Sequence, residues 1–294
     1  MAGKFIENAV RLAERCRLIK PQLIAKARYY CKFRRWPDIK HPKNINEKVM
    51  FLSFYTDTSE WTRLADKLQV RDFVESRGLG DTLPKLYASG ASSADIDWDA
   101  LPETFVAKTN HGCGTVRLIH EKSKTDLDEL KRQLDKWLKT PFGYATAEPH
   151  YTRIEPRIII EEMIPCEEGT QPNDYKFWCF DGKVYGCLLC TGRNSVSHKA
   201  FYNWVSLPEW EYHPEWMPDY SRNNHRIARP EALDQMMEVA SKLSKGFPEV
   251  RVDLYFAGGR IFFGEMTFTS NGARDGYSPD HALRLGDQLQ IPTD

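Results

Sequence analysis

The strongest constraint in this 294-residue chain is a pair of apolar, β-prone runs joined by a glycine turn. Arg251-Val252-Asp253-Leu254-Tyr255 leads through Ala257-Gly258-Gly259 into Arg260-Ile261-Phe262-Phe263-Gly264-Glu265-Met266-Thr267, and this pattern predicts a β-hairpin. Each arm carries one carboxylate in an apolar setting, Asp253 on the first and Glu265 on the second. Burying a carboxylate alone is costly, so each needs a partner. Two that face one another repel unless a cation lies between them, and oxygen ligands suit a hard divalent ion. The expectation is a divalent metal site on the hairpin. The competing expectation is two surface acids on opposite hairpin faces.

Charges cancel over the whole chain but not along it: residues 1–50 hold thirteen Lys or Arg against four acids. That surplus suggests an anionic partner for the N-terminus, a membrane surface or a polyanionic glycan; the alternative is a solvated amphipathic helix. The basic residues form no nucleic-acid motif. Seven cysteines, an odd number at irregular spacings without a secretory signal, point to free thiols in a reducing compartment. Cys187 and Cys190 lie three apart on a predicted strand, so they point to opposite faces and read as structural. No apolar run approaches the roughly 18 residues needed to span a bilayer. A cytoplasmic protein is expected, with its basic N-terminus near the inner membrane face.

Helical periodicity covers residues 5–35, where Pro21 separates two helices, and recurs from Asn46, over 59–78, 125–138 and 230–245. Strands are predicted at 105–108, 118–119, 157–162, 174–180 and 183–191, ahead of the terminal hairpin. Residues 90–102 read as a polar loop, and 201–221 as an aromatic-rich one holding Phe201, Tyr202, Trp204, Trp210, Trp216 and Tyr220. Aromatic faces suit stacking on sugar rings, or packing beneath a long loop. Strands mixed with helices and joined by hairpin turns favour an α+β class.

The strand at 105–108 ends in Lys108 and runs into Thr109-Asn110-His111-Gly112-Cys113-Gly114-Thr115. Glycines permit close backbone approach and the lysine adds a cation, an arrangement suited to phosphate. The loop matches neither the P-loop nor the dinucleotide pattern, and a flexible hairpin turn is the alternative. The order of elements adds more. Asp66-Lys67, Lys108 with its loop, Glu161-Glu162-Met163-Ile164, Arg251-x-Asp253 and Glu265-x-Thr267 form a succession that resembles the ATP-grasp superfamily. Asn46-Glu47-Lys48, Asp66-Lys67-x-x-Val70-Arg71, Phe105-Val106-x-Lys108-x-Asn110-His111-Gly112, Gly264-Glu265-Met266-Thr267-Phe268 and Leu285-Gly286-Asp287 follow in order over residues 42–292. These runs resemble its teichuronopeptide-biosynthesis (TupA-like) branch.

The resemblance implies an ATP-grasp fold, two α+β lobes clamping ATP. The lobes would be 61–164, with a glycine-loop lid and adenine hinge, and 165–294, with the Mg²⁺ hairpin. A basic helical segment, 1–60, would precede them in place of a full N-terminal α/β domain. Lys67, Lys108 and Lys176 would meet phosphate oxygens beneath a lid of Asn110, His111, Gly112, Cys113, Gly114 and Thr115. Glu162, Met163 and Ile164 would read the adenine edge, Glu161 would accept from its amino group, and Glu168 would take the ribose hydroxyls. Asp253 and Glu265 would hold Mg²⁺ with Thr267, which stands where many members carry Asn; Asn271 is its stand-in. Arg251 would stabilise the transferred phosphoryl group, with Lys108 and Lys176 beside it in catalysis. His111 is a candidate base or a plain lid hydrogen-bonder, and Arg71, Arg153 and Arg274 are candidates for the acceptor carboxylate.

The implied reaction joins a carboxylate to an amine through an acylphosphate, in bacterial surface-polysaccharide or capsule synthesis. Its substrates would be a uronic acid of a glycan or nucleotide sugar and a small amine or amino acid. Two other readings stay open. One is a glycosyltransferase, for which Asp95-Ile96-Asp97 has the form of a metal motif. The other is a non-catalytic nucleotide-binding scaffold brought to a membrane by its basic N-terminus.

Overall fold

The computed structural model describes residues 19–166, 171–193, 200–218 and 226–291. The first of the two helices predicted over 5–35 therefore lies outside the described residues. Among the described residues there are seven α-helices: α1 (Pro21–Phe33), α2 (Ile45–Tyr55), α3 (Ser59–Ala65), α4 (Val70–Ser76), α5 (Leu127–Leu138), α6 (Leu233–Ser244) and α7 (Pro279–Gln288). The strands are β1 (Leu86–Gly90), β2 (Phe105–Thr109), β3 (Val116–Ile119), β4 (Ile158–Glu161), β5 (Asp174–Phe180), β6 (Lys183–Thr191), β7 (Phe201–Ser206), β8 (Glu211–Tyr212), β9 (Val250–Ala257) and β10 (Arg260–Thr267). The chain divides into two compact units, 59–164 and the pair 1–58 with 165–294. Among the described residues no helix is long and apolar enough to cross a membrane.

The smaller unit is built on an antiparallel sheet of order β1-β4-β2-β3. Helix α5 starts at Asp126, whose side chain accepts from the Glu129 backbone N–H, one of the donors a helix start leaves unpaired. Its Leu130 and Leu134 fall four apart on one face and pack with Phe105, Ala107, Ile158 and Ile160 of the sheet. Full burial of each leucine stabilises by roughly 1.5–3 kcal/mol. The segment 90–102 departs from the polar loop expected there: Ile96, Trp98 and Leu101 belong to this same core. Strand β1, which the sequence did not announce, pairs with β4 along the sheet edge.

The larger unit holds an antiparallel sheet of order β10-β9-β5-β6-β7-β8, with α6 lying against β5, β6 and β9. Phe177, Leu189, Val252 and Leu254 are buried, as are Leu233, Met236, Ala240 and Leu243 along α6. Residues 201–206 are a strand, not the loop expected of them. Tyr202, Trp204 and Val205 pair in register with Cys190, Leu188 and Cys187, because aromatic and β-branched residues fit a pleated, paired surface. Trp204 is fully buried and its indole donates to Met217 Sδ at 3.3 Å, so packing rather than an open aromatic wall is its role. Tyr220 lies outside the described residues.

Helix α2 is tied to the far end of the chain. The Asn46 amide donates to the Asp275 carbonyl (3.0 Å) and accepts from the Asp275 N–H (3.2 Å). Lys48 Nζ donates to the carbonyls of Gly286 (2.8 Å) and Leu289 (2.9 Å). A Cβ on Gly286 would lie 2.3 Å from the Lys43 carbonyl oxygen, so only glycine fits there. The buried Glu47 carboxylate accepts from Arg35 (2.8 Å) and from the Lys43 N–H (3.2 Å). Asn46-Glu47-Lys48 and Leu285-Gly286-Asp287 are thus two halves of one structural joint.

Candidate active site

In the larger unit the hairpin turns at Gly258 and Gly259, whose φ angles of 57° and 74° suit glycine and match the twist of the flanking strands. Pairing runs from Ala257↔Arg260 to Leu254↔Phe263, then shifts by one residue. Gly264 is the extra residue, and beyond it Glu265 faces Asp253 and Thr267 faces Arg251. Unbroken register would have set Gly264 opposite Asp253 and sent Glu265 to the other face. The bulge re-aims Glu265 onto the face that carries Asp253. A side chain at Gly264 would meet the Tyr255 ring at 2.8 Å and the Asp253 carbonyl at 3.0 Å.

Strand β5 continues this polar face: Lys176 pairs with Asp253, Asp174 with Tyr255 and Trp178 with Arg251. Arg251 sits between the two acids. Its Nε donates to Asp253 Oδ1 (2.6 Å) and its Nη2 to Asp253 Oδ2 (2.7 Å), Glu265 Oε1 (3.0 Å) and Thr267 Oγ1 (3.1 Å). Lys176 Nζ donates to Asp253 Oδ2 (2.5 Å) and lies 2.6 Å from Asp174 Oδ2. Arg193 Nη2 donates to that same Asp174 oxygen at 2.8 Å, whereas the other oxygen, buried Oδ1, meets no protein donor.

Burial pushes the Asp253 carboxyl upward, but Arg251 and Lys176 outweigh it and hold the group below the usual carboxylate range. Asp174 is pushed upward by its burial, which Lys176 and Arg193 only partly offset. Lys176 stays charged despite its burial because Asp253 and Asp174 hold its pKa well above the ordinary value. The negative charge of Asp174, then burial, raises Tyr255.

The cation between the hairpin acids is therefore a guanidinium, and Asp174, Asp253 and Glu265 balance Lys176, Arg193 and Arg251 charge for charge. The donor set still fits Mg²⁺. Glu265 is one-third exposed, its Oε2 meets no donor among the described residues, and the Thr267 hydroxyl donates to its Oε1 at 3.0 Å. Among the described residues no three His, Cys, Asp or Glu side chains gather as a closed metal cage. One or two carboxylates completed by substrate phosphates is the usual mode for this ion.

In the smaller unit Lys108 forms an ion pair with Glu161, the residue expected to read adenine. Glu162 exchanges backbone and side-chain hydrogen bonds with Lys85 (2.8 and 3.0 Å), while Met163 and Ile164 follow it, half-buried, past the end of β4. Lys67 is fixed to the glycine loop, its N–H on the Asn110 carbonyl (3.3 Å) and its Nζ on the Gly112 carbonyl (2.6 Å). Asn110 holds the loop from inside: its buried amide donates to Asp66 Oδ1 and to the Glu155 carbonyl, both at 2.9 Å, and accepts from the Arg157 N–H at 2.7 Å. The His111 Nε2 lies 3.2 Å from the Thr140 carbonyl, and burial lowers the imidazole pKa. Gly112 packs against Phe142, Cys113 is exposed, Gly114 has φ 75°, and the Thr115 and Thr109 hydroxyls bond at 2.7 Å.

The remaining expectations fall on scattered places. Glu168 lies outside the described residues. Arg71 donates to the Pro84 carbonyl (2.8 Å) and Arg153 to the hydroxyl of Thr62 on α3 (3.1 Å), so the two are engaged at separate places. The Arg274 carbonyl accepts from Lys32 (2.6 Å) and from Asn271 (3.3 Å), which turns the Asn271 amide to that backbone. Asp95 and Asp97 cap local turns, accepting from the Ser92 (2.9 Å) and Ala100 (3.3 Å) N–H groups. Sequence reasoning assigned no role to Asp174 or Arg193. Asp174 was within reach, since two residues before Lys176 on a strand means the same face; Arg193, past the strand end, gave no signal.

A family profile described as TupA-like ATPgrasp matches residues 47–290, and the chain belongs to that family. No curated protein matches it by sequence. Among solved structures it is similar to D-alanine–D-alanine ligase from Bacillus anthracis, at 15% identity and a TM-score of 0.49, covering 77% of this chain and 66% of that one. It is also similar to an L-amino acid ligase from Bacillus licheniformis, at 14% identity and a TM-score of 0.45, covering 91% of this chain and 56% of that one. The chain thus spans less than two-thirds of the length of either.

Proposed function

We propose that this chain is an ATP-dependent carboxylate–amine ligase acting on a uronic acid of a bacterial surface polysaccharide or on its nucleotide-sugar precursor. The observation that carries this reading is the charged row Lys176, Arg251, Asp253, Glu265 and Thr267 on one sheet face of a TupA-like ATP-grasp chain. A carboxylate resists attack by an amine because its oxygen is a poor leaving group. Transfer of the ATP γ-phosphoryl to it gives an acylphosphate and ADP; the amine then forms the C–N bond and phosphate departs. Bound Mg²⁺ would supply charge neutralisation on the phosphate oxygens.

The chain's own residues do the positioning. Asp253 and Glu265 would hold the metal, with Thr267 steadying Glu265. Lys176 and Arg251 turn from carboxylate to phosphate oxygen, and Arg251 meets the charge that develops on the transferred group. Asp174, with Asp253, keeps Lys176 charged and in place, and Arg193 holds Asp174 from its other side. In the smaller unit Lys108 and Lys67 are phosphate ligands, the loop 110–115 excludes water, Glu161–Ile164 takes adenine, and Glu168 takes ribose. His111, neutral and bonded to Thr140, is a lid residue. Arg71, Arg153 and Arg274 stay candidates for the acceptor carboxylate, Arg71 and Arg153 on release of the contacts they make here, and the reaction is assigned to the cytoplasm.

The test is ADP release with a panel of uronates and amines. Release should require both acceptors and vanish in Glu265→Gln and Lys108→Ala. Donor-sugar consumption without ATP would replace this reading with a glycosyltransferase. Tight ATP binding with no turnover for any pair would leave a scaffold.

A further inference from the structure

The outer face of helix α1 has chemistry that the nucleotide site does not use. Ile24, Ala25 and Tyr29 point into the protein at 1% exposure each, and the opposite face carries Leu23, Lys26, Tyr30 and Arg34 at helical spacing. Arg34 ends the helix in the left-handed conformation (φ 58°), its N–H on the Tyr30 carbonyl at 2.9 Å. That turn folds Trp36 back so that its ring stacks on Tyr30, with centroids 4.8 Å apart and planes within 24°. Leu23 is 54% exposed and Trp36 59% exposed, the two most exposed large apolar side chains among the described residues. Residues 19–43 carry eight Lys or Arg against a single acid, Asp38. Arg35 is engaged by Glu47, whereas among the described residues Lys26, Arg34 and Lys40 form no ion pair with an acid.

We infer that this face docks the protein on an anionic lipid bilayer. A lipid surface rewards both halves of the face at one depth: cations at the headgroups, and an indole and a leucine at the acyl boundary. A polyanionic glycan would use the cations and stack on Trp36 but would leave Leu23 in water. The helix is only thirteen residues long and lies on the surface, so the mode is peripheral.

The test is co-sedimentation of the full chain with vesicles of phosphatidylcholine containing about 30 mol% phosphatidylglycerol. Binding is expected at low salt and on these vesicles, not on pure phosphatidylcholine, and should fall steeply at about 0.5 M NaCl. Trp36→Ser should weaken it about tenfold, as loss of one buried apolar side chain. The pair Lys26→Gln and Arg34→Gln should weaken it about thirtyfold, as loss of two headgroup cations. All these side chains are exposed or half-buried, so circular dichroism and ATP binding should stay unchanged. No binding to anionic vesicles overturns the inference, as does binding that Trp36→Ser and Leu23→Ser leave intact. Retention on an anionic polysaccharide without vesicle binding overturns it in favour of a glycan.

Discussion

Replacing His281 by Phe should flatten the acid side of this protein's stability curve. His281 lies on α7 at 1% exposure, stacked on Trp216 at 4.2 Å and flanked by Trp204 and Tyr277. Neither ring nitrogen meets a polar protein atom. Burial, helped by the charges of Arg284 and His213, holds its pKa at about 3 against an ordinary 6.5. The fold therefore keeps the ring neutral, and the unfolded chain takes up the proton first. Stability is full above about pH 7, declines as pH falls through about 6.5, and stops declining from this cause only near pH 3. At 1.36 kcal/mol per unit, the loss between about pH 7 and pH 5 comes to about 2 kcal/mol, of about 5 in total. His281→Phe keeps a ring in the aromatic cluster but cannot titrate. Urea denaturation followed by tryptophan fluorescence at the two pH values should show the variant losing about 2 kcal/mol less than the parent. His150, buried in the smaller unit and likewise held at about 3, titrates in both proteins and leaves the difference untouched. Equal losses in parent and variant would refute the claim that the fold holds this ring neutral.

Three further outcomes follow from the site. Asn110→Ala removes three hydrogen bonds of a fully buried amide beneath the glycine loop, one buried and two part-buried, and should cost about 2–4 kcal/mol in urea unfolding, with ATP affinity reduced as well. Gly264→Val should undo the bulge, turn Glu265 from Asp253, and lower metal-dependent ATP binding at least about tenfold by calorimetry, since a Cβ there collides with Tyr255. Because Arg251 already bridges the hairpin acids, Mn²⁺ without nucleotide should bind the parent weakly by electron paramagnetic resonance. Arg251→Met should bind it more tightly at about pH 8, where the freed carboxylates are ionised, and equal affinity in parent and variant would refute the point.

How far the sequence revealed the site is clearest at the hairpin. The glycine turn and the two apolar arms were legible, and so was the need for a cation between Asp253 and Glu265. That the two acids face each other depends on the extra residue at Gly264, which alternation alone would have missed: strict pairing across a two-residue turn sets them on opposite faces. Arg251 also lies between the acids because the motif's own arginine shares a face with Asp253, two residues on. Short β1 and the C-terminal α7 escaped notice, the first because five residues of mixed polarity give no clear period. The aromatic stretch at 201–206 read as loop because turn residues beyond it outweighed its own pairing potential. Asn46 and Lys48 stood out as a motif, but their purpose lies in backbone groups that no local pattern could point to.

The joint between α2 and the C-terminal region also sets a timetable for synthesis. Asn46 and Lys48 find their partners 229 to 241 positions later in the chain. At a translation rate of ~5–20 residues per second, those residues wait ~10–50 s for the carbonyls they will hold. The stretch 59–164 is contiguous and can assemble on the ribosome well before then. The larger body can close only when residues 275–289 emerge, so a factor that shields nascent segments would have its work at the front of this protein.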